Sequence, residues 1–157
     1  MMKTVNPIPE PGSALTPHLI LRDAARAIDW YVSVLGAVEE FRLTEPSGKV
    51  GHAELRLGGG RLMLADEYPD YGALGPDAVG GTPVRLHLYV SDVDAMVDRA
   101  VAAGATLLRP VQDEFYGDRA GMLRDPFGHL WQLASRREEI NPEQMQQRWS
   151  EMLQGTP

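Results

Sequence analysis

The stretch HLILRD at residues 18–23 recurs as HLYVSD at residues 87–92, an offset of 69 positions (87 minus 18). The same offset relates Met63-Leu64-Ala65 to Gln132-Leu133-Ala134, near the far end of each copy. Matches at both ends of a unit of roughly 50 residues are typical of an internal duplication. The chain is therefore predicted to consist of two copies of one structural unit.

Alternating apolar residues predict the strands of each copy. The first strand is predicted at 17–22 in one copy and at 85–90 in the other. A glycine run at 58–60 and the Pro-Phe-Gly turn at 126–128 predict the last hairpin of each copy. The remaining strands are predicted at 38–44, 51–57 and 61–66 in the first copy, and at 106–109, 120–125 and 129–135 in the second.

One amphipathic helix is predicted between the first and second strands of each copy. Asp23 and Asp92 suit the helix starts, because an Asp side chain accepts hydrogen bonds from the free N–H groups of the first turn. Gly36 and Gly104 suit the helix ends, where glycine tolerates positive φ. Both copies are therefore predicted to be β-α-β-β-β units, and the fold class is α+β.

The repeats also divide the chain into segments. A domain at 15–136 holds the two repeats, 15–66 and 84–136, and the Gly- and Pro-rich segment 67–83 is expected to be a loop between them. The flanking segments are an extended N-terminal arm at 1–14 and an amphipathic C-terminal helix within 137–157.

The composition restricts the classes of partner. The 157-residue chain has a net charge of −7, which argues against nucleic acid or an anionic membrane as its partner. It has no cysteine, so disulfides and thiolate metal sites are excluded. No apolar run is long enough for a membrane helix, and the first residues lack the apolar core of a secretory signal, so a cytoplasmic location is expected.

Alternate residues of a strand point to opposite faces of the sheet, which separates a helix-covered face from a free face. Leu19, Leu88 and Leu133 belong to the strongly apolar parity, which must cover the helices. The opposite face would line a cavity if the sheet curls. The residues predicted on it are His18, Ile20, His52, Glu54, Met63, His87, Tyr89, Leu130 and Gln132.

Several longer motifs resemble the vicinal oxygen chelate superfamily, which includes glyoxalase I, extradiol dioxygenases and the fosfomycin and bleomycin resistance proteins. The motifs are RDAARAIDWYVSVLGA, VSDVDAMVDRAVAAGA and DPFGHLWQL, while TPH, RLMLADE and FYGDRAGMLRDPFGHLW are most similar to its PhnB-like branch. The resemblance covers about residues 15–136. It implies tandem βαβββ modules that form a curled mixed β-sheet with the helices on its outer face.

The resemblance also implies where a divalent metal would bind in metal-using members. The four matching positions here are Thr16, Met63, Arg85 and Gln132. Methionine is a soft ligand, arginine is a cation and glutamine is neutral, so none is a good ligand for a hard metal. We therefore expect no cofactor. If the site is shifted by two residues along the strands, a divalent metal could instead use His18, His87 and Glu54 as ligands.

Two functions follow from this interpretation. The favoured one is a small-molecule-binding protein of the glyoxalase/bleomycin-resistance type, without the usual metal site. Its ligand would contact the free sheet face and Tyr116, which lies in a polar loop before the last strands. The alternative is a metal-dependent lyase, isomerase or dioxygenase of the superfamily, similar to lactoylglutathione lyase. By resemblance, the protein is expected to be a homodimer.

Overall fold

The computed structural model describes residues 3–155, which form two structural units that divide after Gly81. Each unit contains a four-stranded, mixed and open sheet with one long helix between its first and second strands. The prediction of tandem βαβββ modules and of an α+β fold is therefore confirmed. Within the described residues, no helix is both long enough and apolar enough to cross a membrane.

The first unit follows the predicted order of elements. Its strands are joined in the order β1-β4-β3-β2, with β1 parallel to β4 and the other pairs antiparallel. Residues 3–17, which include the described part of the predicted arm at 1–14, form neither helix nor strand; Met1 and Met2 lie outside the described residues. The elements are β1 (His18–Leu21), α1 (Ala24–Leu35), β2 (Val38–Thr44), β3 (Val50–Leu57) and β4 (Gly60–Asp66).

The segment 67–83 is not the simple loop that the sequence predicts. It contains a 3-10 turn at Pro69–Tyr71 and a short helix, α2, at Pro76–Val79. Each begins with a proline and ends at a glycine with positive φ. Proline has the φ of a first helical residue and glycine tolerates the positive φ at the end, so both favour a single helical turn. Gly75 begins α2 close to β1, where an added Cβ would meet the Leu21 Cα at 3.0 Å.

The second unit repeats the topology, with strand order β5-β8-β7-β6 and β5 parallel to β8. It adds a C-terminal helix with a capping box between Asn141 and Gln144. That helix begins at 142 within the predicted segment 137–157, whose last two residues lie outside the described residues. The elements are β5 (Arg85–Tyr89), α3 (Val93–Ala102), β6 (Thr106–Asp113), β7 (Asp118–Arg124), β8 (Leu130–Arg136) and α4 (Pro142–Gln154).

The strand β6 extends four residues beyond the predicted segment 106–109, past Pro110. Proline cannot donate a hydrogen bond to a neighbouring strand, but β6 is an edge strand and its pairing with β7 is interrupted by register shifts. The missing N–H group therefore costs little at this position. The strand β7 also begins earlier than predicted, at Asp118 rather than at 120.

Each unit has its own apolar core beneath its helix. Leu21, Leu55 and Leu64 are fully buried in the first unit, while Leu123 and Leu133 are fully buried in the second. Burying one such side chain contributes about 1.5–3 kcal/mol relative to leaving it exposed. The alternation of buried and accessible residues along β4 and β8 confirms the predicted helix-covered face.

The last strand of each unit also fixes the start of its helix. The Asp66 carboxylate accepts a hydrogen bond from Ala24 N at 2.8 Å, and the Ser135 hydroxyl accepts one from Val93 N at 3.0 Å. Both residue pairs are related by the same 69-position offset, so the contact is part of the repeat. Free N–H groups at the helix start are thereby satisfied. The predicted cap Asp92 adds a bond from Ala95 N at 3.1 Å.

Candidate functional site

The second unit has a cavity of about 410 Å³ on the sheet face opposite α3. Its walls come from β5, β7, β8, the segments that flank β7 and β8, and the start of α4. Four residues predicted from the sequence lie together in it. The lining residues are His87, Tyr89, Tyr116, Asp118, Gln132, Arg136, Glu138, Ile140 and Met145.

A tyrosine–carboxylate pair lies at one side of this cavity. The Tyr89 hydroxyl donates a hydrogen bond to Asp118 Oδ2 at 2.9 Å. Asp118 is only 6% exposed, whereas Tyr89 is 58% exposed and lies at the cavity mouth. The hydrogen bond to Asp118, followed by burial, raises the pKa of Tyr89, so its hydroxyl stays protonated at neutral pH. The ring of Tyr89 also lies 4.8 Å from that of His87.

Gln132 has a defined partner, which explains a polar side chain within an apolar strand. Its Nε2 donates a hydrogen bond to the Tyr116 hydroxyl at 3.0 Å. The β5–β8 register places Gln132 beside His87, on the free face of the sheet. Burial is the main cause that raises the pKa of Tyr116, which therefore remains a neutral hydroxyl. Gln132 and Tyr116 thus present a fixed amide and hydroxyl to the cavity.

The helix α4 forms one wall of the cavity through Met145, with Ile140 just before the helix. Arg148 holds this helix against the unit. It forms a bidentate ion pair with Glu138, with Nη2 at 3.1 Å from Oε2, and donates to the carbonyl of Phe115 at 3.2 Å. The ring of Trp149 lies 5.1 Å from that of Phe115, next to Tyr116. The position of this wall therefore depends on the ion pair of Arg148 and on the ring contact of Trp149.

The remaining polar residues gather on the free face of the first unit. His18 and Glu54 flank Met63 in the register of β1, β4 and β3, and His52 Nε2 lies 3.1 Å from Glu54 Oε2. The rings of His18 and His52 are 5.6 Å apart. Partial burial, and then the neighbouring His52, lower the pKa of His18 and favour its neutral form at neutral pH.

An ion-pair cluster joins this group to the N-terminal arm. Arg61 lies 3.3 Å from Glu54 and 3.3 Å from Glu10, and Arg56 contacts both Glu10 and Glu40. Glu10 belongs to the predicted arm, so the arm is held against the sheet of the first unit. Glu54 is consequently engaged by an arginine and a histidine.

The four positions that the resemblance assigns to a metal do not fit one. The Thr16 hydroxyl donates to the carbonyl of Ser13 at 3.2 Å, and Gln132 directs its amide nitrogen, a donor, at Tyr116. Met63 is a thioether and Arg85 a cation, neither suited to a hard divalent ion. Among the residues that the structure describes, no group of three or more His, Asp or Glu side chains is arranged to hold a metal ion.

Some residues predicted from the sequence do not line this cavity, and some residues that line it were not among those predicted. Ile20 is half-buried on β1, and Leu130 is half-buried on β8 but is not part of the wall of this cavity. From the sequence, Asp118 is expected in the same polar loop as Tyr116, as a possible ligand contact and not as a strand residue, because β7 is predicted to begin at 120. The alternation of β7 extended by two residues would have placed Asp118 on the same face as Gln132, since Asp118 pairs with Arg136. The apolar stripe of α4, which includes Met145, can be recognised in the sequence, but its contact with this cavity cannot.

The likeness to known proteins agrees with the fold. The model of the Glyoxalase/Bleomycin resistance protein/Dioxygenase superfamily matches residues 14–133. The chain belongs to this superfamily. The resemblance inferred from its motifs is thereby confirmed.

Individual relatives extend this result. The uncharacterized protein Mb0911c of Mycobacterium bovis is 46% identical over 136 residues, which cover 85% of this chain and 90% of the relative. The crystal structure of TioX from Micromonospora sp. ML1 is 35% identical, with a TM-score of 0.63 and coverage of 80% of this chain and 99% of TioX. A PhnB protein from Bacillus cereus, at 21% identity and a TM-score of 0.63, shares the fold over 78% of this chain and 99% of its own.

Proposed function

We propose that this superfamily member is a small-molecule-binding protein and that the cavity of the second unit is its binding site. The observation that supports this most is the combination of a cavity of about 410 Å³ with fixed polar groups and aromatic rings. Small-molecule sites are commonly concave, in the range of about 300–1,000 Å³, with a few polar groups that orient the ligand. Gln132, Tyr116 and Asp118 would supply those groups, and His87, Tyr89 and Met145 the contact area.

The proposal can be tested by a screen of small aromatic fragments against the full chain, followed by ¹H–¹⁵N NMR. We expect the fragments that bind to shift the amide resonances of β5, β8 and the start of α4. The variant Gln132→Met keeps the side-chain length but removes the amide, and it should weaken binding about three- to tenfold, the value of one neutral hydrogen bond.

The matched control is Gln147→Met, because Gln147 is exposed on α4 and bonds to Glu151 rather than lining the cavity. This variant should bind the fragments as the unaltered chain does. Fragments that shift only resonances outside the cavity, or that bind Gln132→Met and Gln147→Met equally, would contradict the proposal.

The alternative is a metal-dependent lyase, isomerase or dioxygenase, and one observation favours it. His18, His52 and Glu54 lie on the free face of the first unit, where a histidine hydrogen-bonded to a carboxylate could act in acid–base chemistry. Metal content discriminates between the two functions. We expect no stoichiometric ion in the purified protein after incubation with Ni²⁺, Zn²⁺, Mn²⁺ or Fe²⁺. A stoichiometric ion that is lost in the His18→Ala/His52→Ala double variant would favour the enzyme.

The homodimer also remains part of the proposal. The helix α4 leaves Met152 and Leu153 45% and 57% exposed, which is apolar surface that a second copy could cover. Light scattering after size-exclusion chromatography should give the mass of two chains. The mass of one chain would contradict the dimer, without affecting the proposed cavity.

A further inference from the structure

We propose that the ligand of the second-unit cavity carries a cationic nitrogen group on a flat ring, such as an amidinium, and that this group pairs with Asp118. The inference rests on the proposed function, because it names the class of ligand for the same cavity. It starts from a buried carboxylate in a cavity wall, since Asp118 is 6% exposed.

A buried carboxylate is unfavourable unless its oxygens are hydrogen-bonded or paired with a cation. An ionised carboxylate has about four acceptor positions. The Tyr89 hydroxyl, a neutral donor, occupies one of them at 2.9 Å. Within residues 3–155, no nitrogen of a Lys, Arg or His side chain lies within 4.0 Å of this carboxylate. Asp118 therefore offers acceptor positions that a cationic donor in the cavity would satisfy.

The other charges in the wall are already engaged with partners outside it. Glu138 is held in a bidentate ion pair by Arg148. Arg136 lies opposite Asp118 in the β7–β8 register, yet its Nη2 approaches Glu139 at 3.4 Å. Among the described residues, Asp118 is thus the carboxylate of this wall that has no Lys, Arg or His side chain as an ionic partner. The net charge of −7 would also attract a cation at long range.

The aromatic residues of the wall indicate the shape of the ligand. Tyr89 and His87 are adjacent rings at the mouth of the cavity, and Tyr116 adds a third ring beside Gln132. Aromatic faces attract cations and pack against flat rings. A flat group that bears a delocalised cation can therefore contact the rings and donate to Asp118 at the same time.

Three probes of the same size and different charge test the inference: benzamidine, which is cationic, benzamide, which is neutral, and benzoate, which is anionic. Affinities for the full chain would be measured by NMR titration of the cavity amides. We expect benzamidine to bind at least about tenfold more tightly than benzamide, because a hydrogen bond to a charged group contributes about that factor. Benzoate should bind most weakly of the three. This comparison uses the unaltered chain and does not depend on the folding of a variant.

Two variants locate the effect. Asp118→Asn keeps the shape and an acceptor for Tyr89, and it should abolish the preference for benzamidine over benzamide. The matched control, Asp113→Asn, removes the same charge from a side chain that is 78% exposed and outside this cavity, and it should preserve the preference.

The failure of this inference is distinguishable from the failure of the proposed function. Equal binding of benzamidine and benzamide in the cavity would overturn the cationic ligand and leave the binding function standing. A preference for benzamidine that survives Asp118→Asn would place the cation elsewhere and would also overturn it. If benzamidine shifts no cavity resonance while other fragments do, the inference fails but the site does not. If no fragment shifts a cavity resonance, both fail.

Discussion

At the scale of single residues, Asp125 has a larger structural role than its place in a turn suggests. Its Oδ1 accepts hydrogen bonds from Phe127 N at 2.9 Å and His129 N at 3.0 Å, and its Oδ2 accepts one from Trp131 Nε1 at 2.8 Å. The residue is 3% exposed. One carboxylate therefore fixes both the hairpin turn and the rotamer of a buried tryptophan at the start of β8, the strand that carries Gln132.

We predict that Asp125→Ala destabilises the protein by at least about 2 kcal/mol, because buried donors that lose an acceptor keep their full desolvation cost. Urea unfolding followed by tryptophan fluorescence would measure this change. The control Asp113→Ala removes an exposed carboxylate from β6 and should have a much smaller effect. Equal effects of the two substitutions would contradict the role assigned to Asp125.

The residue scale also shows the limit of prediction from the sequence. The parity of the strands placed His18, His87, Tyr89 and Gln132 on the free faces correctly, because side-chain alternation is a local property of the backbone. The partner of each side chain was not predictable in the same way. The bond from Tyr89 to Asp118 joins residues 29 positions apart, and it depends on where β7 begins.

At the scale of elements, the internal repeat made the order of strands and helices predictable, because the sequence pattern of each copy could be checked against that of the other. The differences from prediction arise where an element lacks a counterpart in the other copy or depends on tertiary context. Strand β6 continues past Pro110 because it is an edge strand. The single-turn helix α2 forms where Gly75 packs closely against β1. The start and stripe of α4 were predictable, but its contact with the cavity was not.

The attachment of α4 gives a prediction at this scale. Arg148→Met keeps an apolar side chain but removes the ion pair with Glu138 and the bond to the carbonyl of Phe115, so α4 should open more often. Amide hydrogen exchange should become faster in α4 while exchange in β8 stays unchanged, and added salt should produce part of the same effect in the unaltered chain.

The control for this prediction is Arg124→Met, which makes the same substitution at an exposed position on β7. Exchange in α4 should be unaffected by it. Unchanged exchange in α4 of the Arg148→Met variant would mean that the contacts of Trp149 and Met145 alone hold the helix in place.

At the scale of the whole molecule, the two units share a fold and differ in the chemistry of their free faces. The first unit presents histidines, Glu54 and an arginine–glutamate cluster that engages the N-terminal arm. The second presents a cavity with tyrosines, an amide and a buried carboxylate. The apolar core and the hydrogen bond from the last strand to the start of the helix therefore recur in both units, while the residues on the accessible faces differ. This divergence is why the sequence predicts the fold well and the function only in outline.

The central claim is that the cavity of the second unit holds a small molecule. The most direct test is a crystal structure of the full chain with the tightest fragment from the screen. We predict electron density for the fragment between β8 and α4, in contact with Gln132 and the ring of Tyr89. Density for the fragment at any other surface, with solvent alone in this cavity, would contradict the proposed binding site.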